Sequence, residues 1–311
     1  MTIASYARRS AEALGPTTRG ILWMVLCGLS FALLNAITRV ITADLHPWQT
    51  QFLRYCFGGV VILPFLLRGG LHLLQTKNLR LQIGRNLVHT VASGLWFLAL
   101  PLVPLAEITA ISFTGPIFMT IGAMLFFKET VRARRWIAIA LGFFGILIVL
   151  YPKLQLGISA SSASLLLLVA APVSACSYLM AKVLMRQDQP ETIVLWQSLL
   201  VSLFTLPFAL WFWRPVADMH LALFVLAGIL GSTGHYALNR SIKTADISAT
   251  QPTRFLELVW ASALGALIWG DVPPVWTFVG AIVIFGSTTY IARREAIADR
   301  DRKQSESSAA A

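Results

Sequence analysis

Long apolar stretches separated by short polar breaks occupy almost the whole chain. Windows of about 19 to 20 residues, the helical length that crosses a ~30 Å hydrocarbon core, fit ten of these stretches. They cover residues 20–41, 48–67, 84–103, 108–127, 134–151, 162–184, 192–213, 221–239, 247–269 and 275–292. The pattern predicts an all-α polytopic membrane protein with ten transmembrane helices.

Composition supports this prediction, and the positions of the charged residues add an orientation. The 311 residues are 57% hydrophobic and 13% charged, whereas soluble domains are roughly 45–50% apolar and about 25% charged. Of the 25 Lys and Arg, nineteen fall on one side, in loops and tails or, for Arg85, Arg134 and Arg135, within the first two residues of a span; two fall on the other side and four deeper within spans. The positive-inside rule therefore predicts an inner-membrane protein with both termini cytoplasmic. The net charge of +11 then reflects contact with the lipid bilayer and gives no reason to expect nucleic acid.

The two halves of the chain repeat each other. Pro47 and Pro64 match Pro190 and Pro207 at an offset of 143, and residues 106–110 match 245–249 at an offset of 139. Because five helices is an odd number, the two copies must cross the membrane in opposite senses, as inverted repeats do. The predicted division is a tail (1–19), a first repeat (20–151), an external linker (152–161), a second repeat (162–292) and a C-terminal tail (293–311).

The ninth span carries the strongest chemical signal. Gln251, Arg254 and Glu257 recur every three residues and form one polar stripe, whereas residues 112, 115 and 118 of the matching helix carry no charge. Arg254 could hold a carboxylate or similar anion, and Glu257 could hold an amine or sulfonium or carry a coupling proton. The alternative is a self-neutralising pair that only locks this helix against its neighbours.

Arg54 is a second intramembrane cation, about two turns inside its span. Its counterpart in the second repeat is Gln197, so both halves place a hydrogen-bonding side chain at this point. We expect both residues in the solute path, the alternative for Arg54 being a structural clamp. The other cations within spans are Arg39, Lys182 and Arg254; Arg39 and Lys182 lie near span ends, where long side chains reach the headgroups.

Further candidates come from aromatic, amide and imidazole side chains within spans. Trp96, Tyr236 and Asn35 are expected to line the solute cavity, although such residues commonly face lipid or pack between helices. The repeat overlay places Trp96 opposite His235. His89 and His235 are candidates for proton coupling beside Glu257, the alternative being hydrogen bonding within the bundle.

Three segments carry a family resemblance: Phe-Leu-Arg-Tyr at 52–55, Phe-Thr-Gly-Pro-Ile-Phe at 113–118 and Thr-Arg-Phe-Leu-Glu-Leu-Val at 253–259. With them the chain resembles the EamA branch of the drug/metabolite transporter superfamily over about residues 20–292. It looks most similar to bacterial carriers of S-adenosylmethionine, riboflavin and amino acids. The resemblance implies secondary-active transport of a small polar organic metabolite by alternating access between the repeats, without a cofactor or metal. Import or export, the coupling ion and the oligomeric state stay open.

Other function classes find less support. The sequence holds no His-Glu-x-x-His pair, Gly-x-Ser-x-Gly elbow or phosphate loop, so an enzyme is not expected. An amino-acid or drug exporter, or a lipid flippase on the same fold, remains an alternative.

Overall fold

The computed structural model describes residues 16–70, 74–127, 133–155, 158–245, 250, 253, 255–287, 289–290, 293 and 297. Within these residues the chain is helical and contains no strand. The α-helices are α1 (Pro16–Asp44), α2 (Pro47–Gly69), α3 (Leu79–Ala99), α4 (Leu105–Ser112), α5 (Gly115–Phe127), α6 (Ala133–Gln155), α7 (Ile158–Leu184), α8 (Pro190–Trp211), α9 (Asp218–Thr244), α10 (Phe255–Trp269) and α11 (Val275–Ser287).

The hydropathy of the helices agrees with a membrane protein. Four are long and apolar enough to cross a bilayer by length and composition: Pro16–Asp44, Ser162–Leu184, Pro190–Trp211 and Asp218–Thr244. Shorter apolar helices include Ile139–Pro152, Leu256–Trp269 and Val275–Ser287. The count of ten spans and the cytoplasmic placement of both termini stay predictions.

The fourth predicted span, expected as one helix over 108–127, is two helices in the structure. Helix α4 ends at Ser112 and α5 begins at Gly115. Pro116 has no N–H to donate to the carbonyl of Ser112, and its ring would clash with that carbonyl in a continuous helix. The Thr114 hydroxyl instead donates to the Ile111 carbonyl at 2.7 Å, which satisfies one carbonyl at the end of α4.

Two predicted boundaries also differ from the structure. Helix α1 begins at Pro16, inside the predicted tail, because proline suits the first turn of a helix. The predicted linker 152–161 is largely helical, since α6 continues to Gln155 and α7 begins at Ile158. The predicted C-terminal tail lies, apart from residues 293 and 297, outside the described residues.

Helix packing follows the symmetry expected of inverted repeats. Exchanging the halves replaces α1 by α7, α2 by α8, α3 by α9 and α4–α5 by α10. Helix α1 packs along α9 while α3 packs along α7, and these two contacts are exchanged by that operation. Helices α2 and α8 pack on each other, as do α4 and α10, so each of these pairs lies on the symmetry axis.

Close glycine contacts join the last helices of the two repeats. A Cβ built on Gly280 of α11 would lie 2.6 Å from the Gly145 carbonyl oxygen of α6, and one on Gly145 would lie 3.0 Å from the Gly280 carbonyl oxygen. The two backbones therefore touch directly, as small residues permit in membrane helices.

Side-chain hydrogen bonds link neighbouring segments at both ends of the bundle. At the end formed by the α1–α2 and α8–α9 loops, here the His46 face, the Gln49 amide donates to the Arg214 carbonyl at 2.8 Å and accepts from its N–H at 3.0 Å. The opposite end is the Asp188 face. There Asp188, between α7 and α8, accepts from the Gln82 amide at 3.1 Å and from the Lys77 N–H at 3.3 Å.

Candidate functional site

A cluster of buried polar side chains lies where α2, α3, α8 and α9 meet. Gln197 of α8 is at its centre. The Arg85 guanidinium donates to Gln197 Oε1 at 2.9 Å, and Gln197 Nε2 lies 2.8 Å from His89 Nε2 and 3.1 Å from His235 Nε2. The Tyr55 hydroxyl contacts the same His89 nitrogen at 2.8 Å. We call these five residues, with Arg54, the Gln197 cluster.

The helices position these side chains through simple spacing. Arg85 and His89 are four residues apart in α3, so both lie on one helical face and point toward α8. His89 lies ten residues from the start of α3 at Leu79, which is about 15 Å along the helix axis. The cluster therefore lies well inside the length of α3, away from both of its ends.

Arg54 enters the cluster through a space that glycine leaves open. Its guanidinium lies over the Tyr55 ring, 4.0 Å from the centroid, and against the backbone of α9. A Cβ on Gly231 would be only 1.9 Å from Arg54 Nη2. Any larger residue at position 231 would occupy the volume that the guanidinium fills.

The cluster holds two guanidinium groups and no carboxylate. Arg54 is 4% exposed and Arg85 2%, and among the described residues neither forms an ion pair. The Nε of each is buried without a hydrogen-bond partner in the described part of the chain. Because burying a charge without a counter-charge costs several kcal/mol, and a guanidinium can only donate, this arrangement is suited to a ligand that carries acceptor atoms.

One face of α1 connects the cluster to further candidate residues. Gly28, Phe31 and Asn35 follow one another at helical spacing. Gly28 packs on Glu257 of α10, with an ideal Cβ 3.5 Å from the Glu257 Cβ. The Phe31 ring meets His235 edge-on at 5.1 Å.

The same α1 face reaches the predicted aromatic residue of α3. Asn35 Oδ1 accepts from the Trp96 indole N–H at 3.3 Å. The structure thus places seven sequence-predicted residues around one region: Arg54, His89, Gln197, His235, Asn35, Trp96 and Glu257.

The other predicted residues are Tyr236, Gln251 and Arg254. Tyr236 points away from the cluster: its hydroxyl donates to Glu191 at 3.2 Å, and its ring packs on Trp23 at 5.8 Å. Gln251 and Arg254 lie outside the described residues.

Two other cations of the predicted spans, Arg39 and Lys182, have surroundings of their own. Arg39 forms an ion pair with Asp271 and lies 4.5 Å from the centroid of the Trp269 ring. Lys182 is exposed near the end of α7. Arg39 therefore has protein partners in the structure, and headgroup contact by Lys182 stays a prediction.

Sequence reasoning missed Arg85, Tyr55 and Phe31. Arg85 counts with the loop cations in the sequence because it is only the second residue of the predicted span 84–103, whereas α3 begins five residues before that span, at Leu79. Its i, i+4 spacing to His89 was the available signal. Phe31 gave no signal, since a single phenylalanine in an apolar helix is unremarkable. Among the described residues no group of His, Cys, Asp or Glu could hold a metal ion.

The apolar helices indicate a polytopic membrane protein, and comparison with known proteins gives its family. The EamA-like transporter family matches the chain twice, over residues 18–151 and 161–293. The protein belongs to this family of transporters and is a multi-pass inner-membrane protein.

Individual relatives cover nearly the full length. The riboflavin transporter of Rhizobium johnstonii is 34% identical over 280 residues, covering 89% of this chain and 91% of that protein. The S-adenosylmethionine uptake transporter of Rickettsia prowazekii is 26% identical over 280 residues, covering 90% and 94%. A solved crystal structure aligns with a TM-score of 0.63 at 17% identity, over 90% of this chain and 98% of its own, which supports the fold alone.

Proposed function

We propose that this protein is a secondary-active carrier that takes up a flavin-type metabolite by alternating access, with the Gln197 cluster as its solute site. Family membership supports transport of a small metabolite. The greater identity to a riboflavin transporter than to an S-adenosylmethionine transporter, 34% against 26%, favours a flavin. The predicted topology makes the Asp188 face cytoplasmic. We also propose that residues 20–151 and 162–292 are the two repeats that move relative to each other.

The single observation that carries this substrate class is the pair of buried guanidinium groups without a carboxylate. Arg54 and Arg85 offer planar sets of donors, which suit two acceptor atoms in one plane. The pyrimidine-dione edge of riboflavin presents two coplanar carbonyl oxygens. The Gln197 amide N–H group suits a carbonyl of the same edge.

The same charges disfavour a cationic solute. A sulfonium about 5 Å from one guanidinium would be repelled by about 3 kcal/mol at an effective dielectric constant of ~20. Since each ~1.4 kcal/mol is tenfold in affinity, this corresponds to a loss of roughly a hundredfold. S-adenosylmethionine carries such a sulfonium, whereas riboflavin is neutral.

The α1 face provides contacts for the rest of the solute. Gly28 and Asn35 are seven residues apart, about 10 Å along the helix. The rings of Phe31 and Trp96 offer stacking surfaces for a flat heterocycle. We assign the buried carboxylate of Glu257 to the hydroxyl groups of the ribityl chain. Because Gln251, Arg254 and Glu257 recur every three residues in the sequence, we assign Gln251 and Arg254 to the same part of the solute.

Uptake into liposomes that contain the purified protein tests this function. Labelled riboflavin and S-adenosylmethionine are compared in wild type, Arg85→Gln and the control Arg80→Gln, an exposed arginine of the same helix. We expect riboflavin uptake in wild type and in Arg80→Gln, and a loss of at least about tenfold in Arg85→Gln, because a hydrogen bond from a charged group contributes about 1.5–3 kcal/mol. Transport of S-adenosylmethionine without riboflavin, or full activity in Arg85→Gln, would contradict the proposal. The same vesicles detect lipid translocation, export or substrate conversion.

The buried Glu257 favours one second candidate, uptake of a zwitterion such as S-adenosylmethionine. In that case Arg254 would hold the carboxylate and Glu257 the cationic group. Glu257→Gln would abolish concentrative uptake, whereas Arg85→Gln would leave uptake of the zwitterion intact. Wild-type uptake and pH dependence in Glu257→Gln exclude this candidate.

A further inference from the structure

The orientation of the Gln197 amide fixes the protonation state of two histidines. The Arg85 guanidinium only donates hydrogen bonds, so the amide atom that it contacts at 2.9 Å must be the oxygen. The amide nitrogen then faces His89 and His235, at 2.8 and 3.1 Å. This nitrogen has two hydrogens to donate, one for each ring.

Both imidazole rings are therefore neutral in this arrangement. Each Nε2 accepts a hydrogen bond from Gln197, so neither can carry a proton on that nitrogen. The Tyr55 hydroxyl lies 2.8 Å from the same His89 Nε2 and shares the single lone pair of this nitrogen with Gln197. A proton on either Nε2 would place two donors against each other and break the contact with Gln197.

The surrounding charges act in the same direction. Arg54 and Tyr55 of α2 and Arg85 of α3 are the charged and titratable groups that face the two rings, which also face each other with centroids 5.6 Å apart. From α7, Tyr178 lies near Arg85, and α1 contributes the uncharged Phe31 ring. Two guanidinium charges and no described carboxylate at the cluster disfavour an imidazolium.

A solute with acceptor atoms reverses both effects that keep the rings neutral, the hydrogen bond donated by Gln197 and the nearby guanidinium charge. Once the solute accepts a hydrogen bond from Arg85, the Arg85 guanidinium releases Gln197 Oε1. The amide can then turn by about half a rotation, because this terminal torsion has two broad minima. The oxygen then faces the histidine rings and accepts from a protonated Nε2. The acceptor atoms of the solute also offset part of the guanidinium charge.

We propose that Gln197 couples solute binding to uptake of a proton by the His89–His235 pair, which makes the carrier a proton–solute symporter. The proton comes from bulk water on the side to which the site is open, adds to the Nε2 of one ring, and leaves on the other side with the solute. This inference rests on the proposed function, because it requires a solute that accepts hydrogen bonds from Arg85.

Calorimetry of riboflavin binding in buffers of different ionisation enthalpy measures the proton count directly. For the full-length protein in nanodiscs, we expect about one proton taken up per riboflavin, and binding that tightens up to about tenfold per pH unit as the pH falls, because linkage is reciprocal. Quenching of riboflavin fluorescence gives the dissociation constant independently.

Three variants separate coupling from structure. In Gln197→Leu and in the double variant His89→Asn/His235→Asn, the proton count should fall to near zero and the pH dependence should flatten. Gln51→Leu is the matched control: this buried glutamine bonds Ser93 and the Thr90 carbonyl and does not contact the histidines, so the wild-type proton count should be retained.

The outcomes distinguish this inference from the function on which it rests. Riboflavin binding with no proton uptake by the wild type would overturn the coupling and leave the function standing. Proton uptake unchanged in the double histidine variant would equally overturn the assignment to these rings. No riboflavin binding at any pH would overturn both.

Discussion

Gly231→Ala tests whether Arg54 holds the solute. The added Cβ would lie 1.9 Å from Arg54 Nη2, against the 3.4–4 Å of ordinary contact, so the guanidinium must retreat by about 1.5 Å. A displacement of this size removes a charged hydrogen bond to the solute, at about 1.5–3 kcal/mol. We expect riboflavin binding to weaken roughly 10- to 100-fold.

The fold should tolerate this change. Alanine within a helix is favoured over glycine by about 0.5–1 kcal/mol, and the clashing atoms are the end of a flexible side chain. Gly228→Ala is the contrasting variant, because its Cβ would lie 2.7 Å from the Phe57 backbone carbon and force α2 and α9 apart. Gly59→Ala is the neutral control, with its Cβ at an ordinary 3.7 Å from Ser198 Cβ.

The assay is a double-mutant cycle on the riboflavin dissociation constant, with melting temperature as the measure of stability. If Gly231→Ala acts through Arg54, it should have no further effect in an Arg54→Ala background. An equal loss in that background would refute the reasoning, as would wild-type binding by Gly231→Ala itself.

Three other changes make separate predictions. The pKa of His46 is lowered from 6.5 by burial and by the nearby Arg214. The folded protein therefore gains stability from neutral His46 above pH 6.5 and loses it as the pH falls. The variant His46→Phe keeps a ring on Phe212 but cannot take up a proton, so it should flatten the fall in melting temperature between pH 7 and pH 5. Asp188→Ala leaves three donors without their acceptor and should cost about 1–3 kcal/mol in stability with little change in riboflavin affinity. Trp96→Phe loses the indole hydrogen bond but keeps a ring, and should weaken riboflavin binding by less than about tenfold, measured by fluorescence quenching.

The hydropathy of the chain alone predicted that it lies in a lipid bilayer and that it is helical. In a bilayer each backbone group must be satisfied within its own helix, so apolar length alone predicts helices at these positions. The repeat was also readable, because two copies of one fold retain matching residues such as Pro47 and Pro190 in the same order, at offsets of 143 and 139. Helix ends were less accurate: α3 extends beyond its apolar part to Leu79, since buried polar partners replace lipid there.

Only the tertiary structure decided which polar residues meet. Residues Arg54, Arg85, Gln197 and His235 are far apart in the sequence, and hydropathy says that a polar group must avoid lipid without saying which partner it finds. The packing of α2, α3, α8 and α9 brings them together, and Gly231 leaves the space for Arg54. The excess of positive charge predicts a topology, whereas the proposed site at Arg54 and Arg85 depends on three-dimensional packing, which buries both guanidinium groups near the same two histidines.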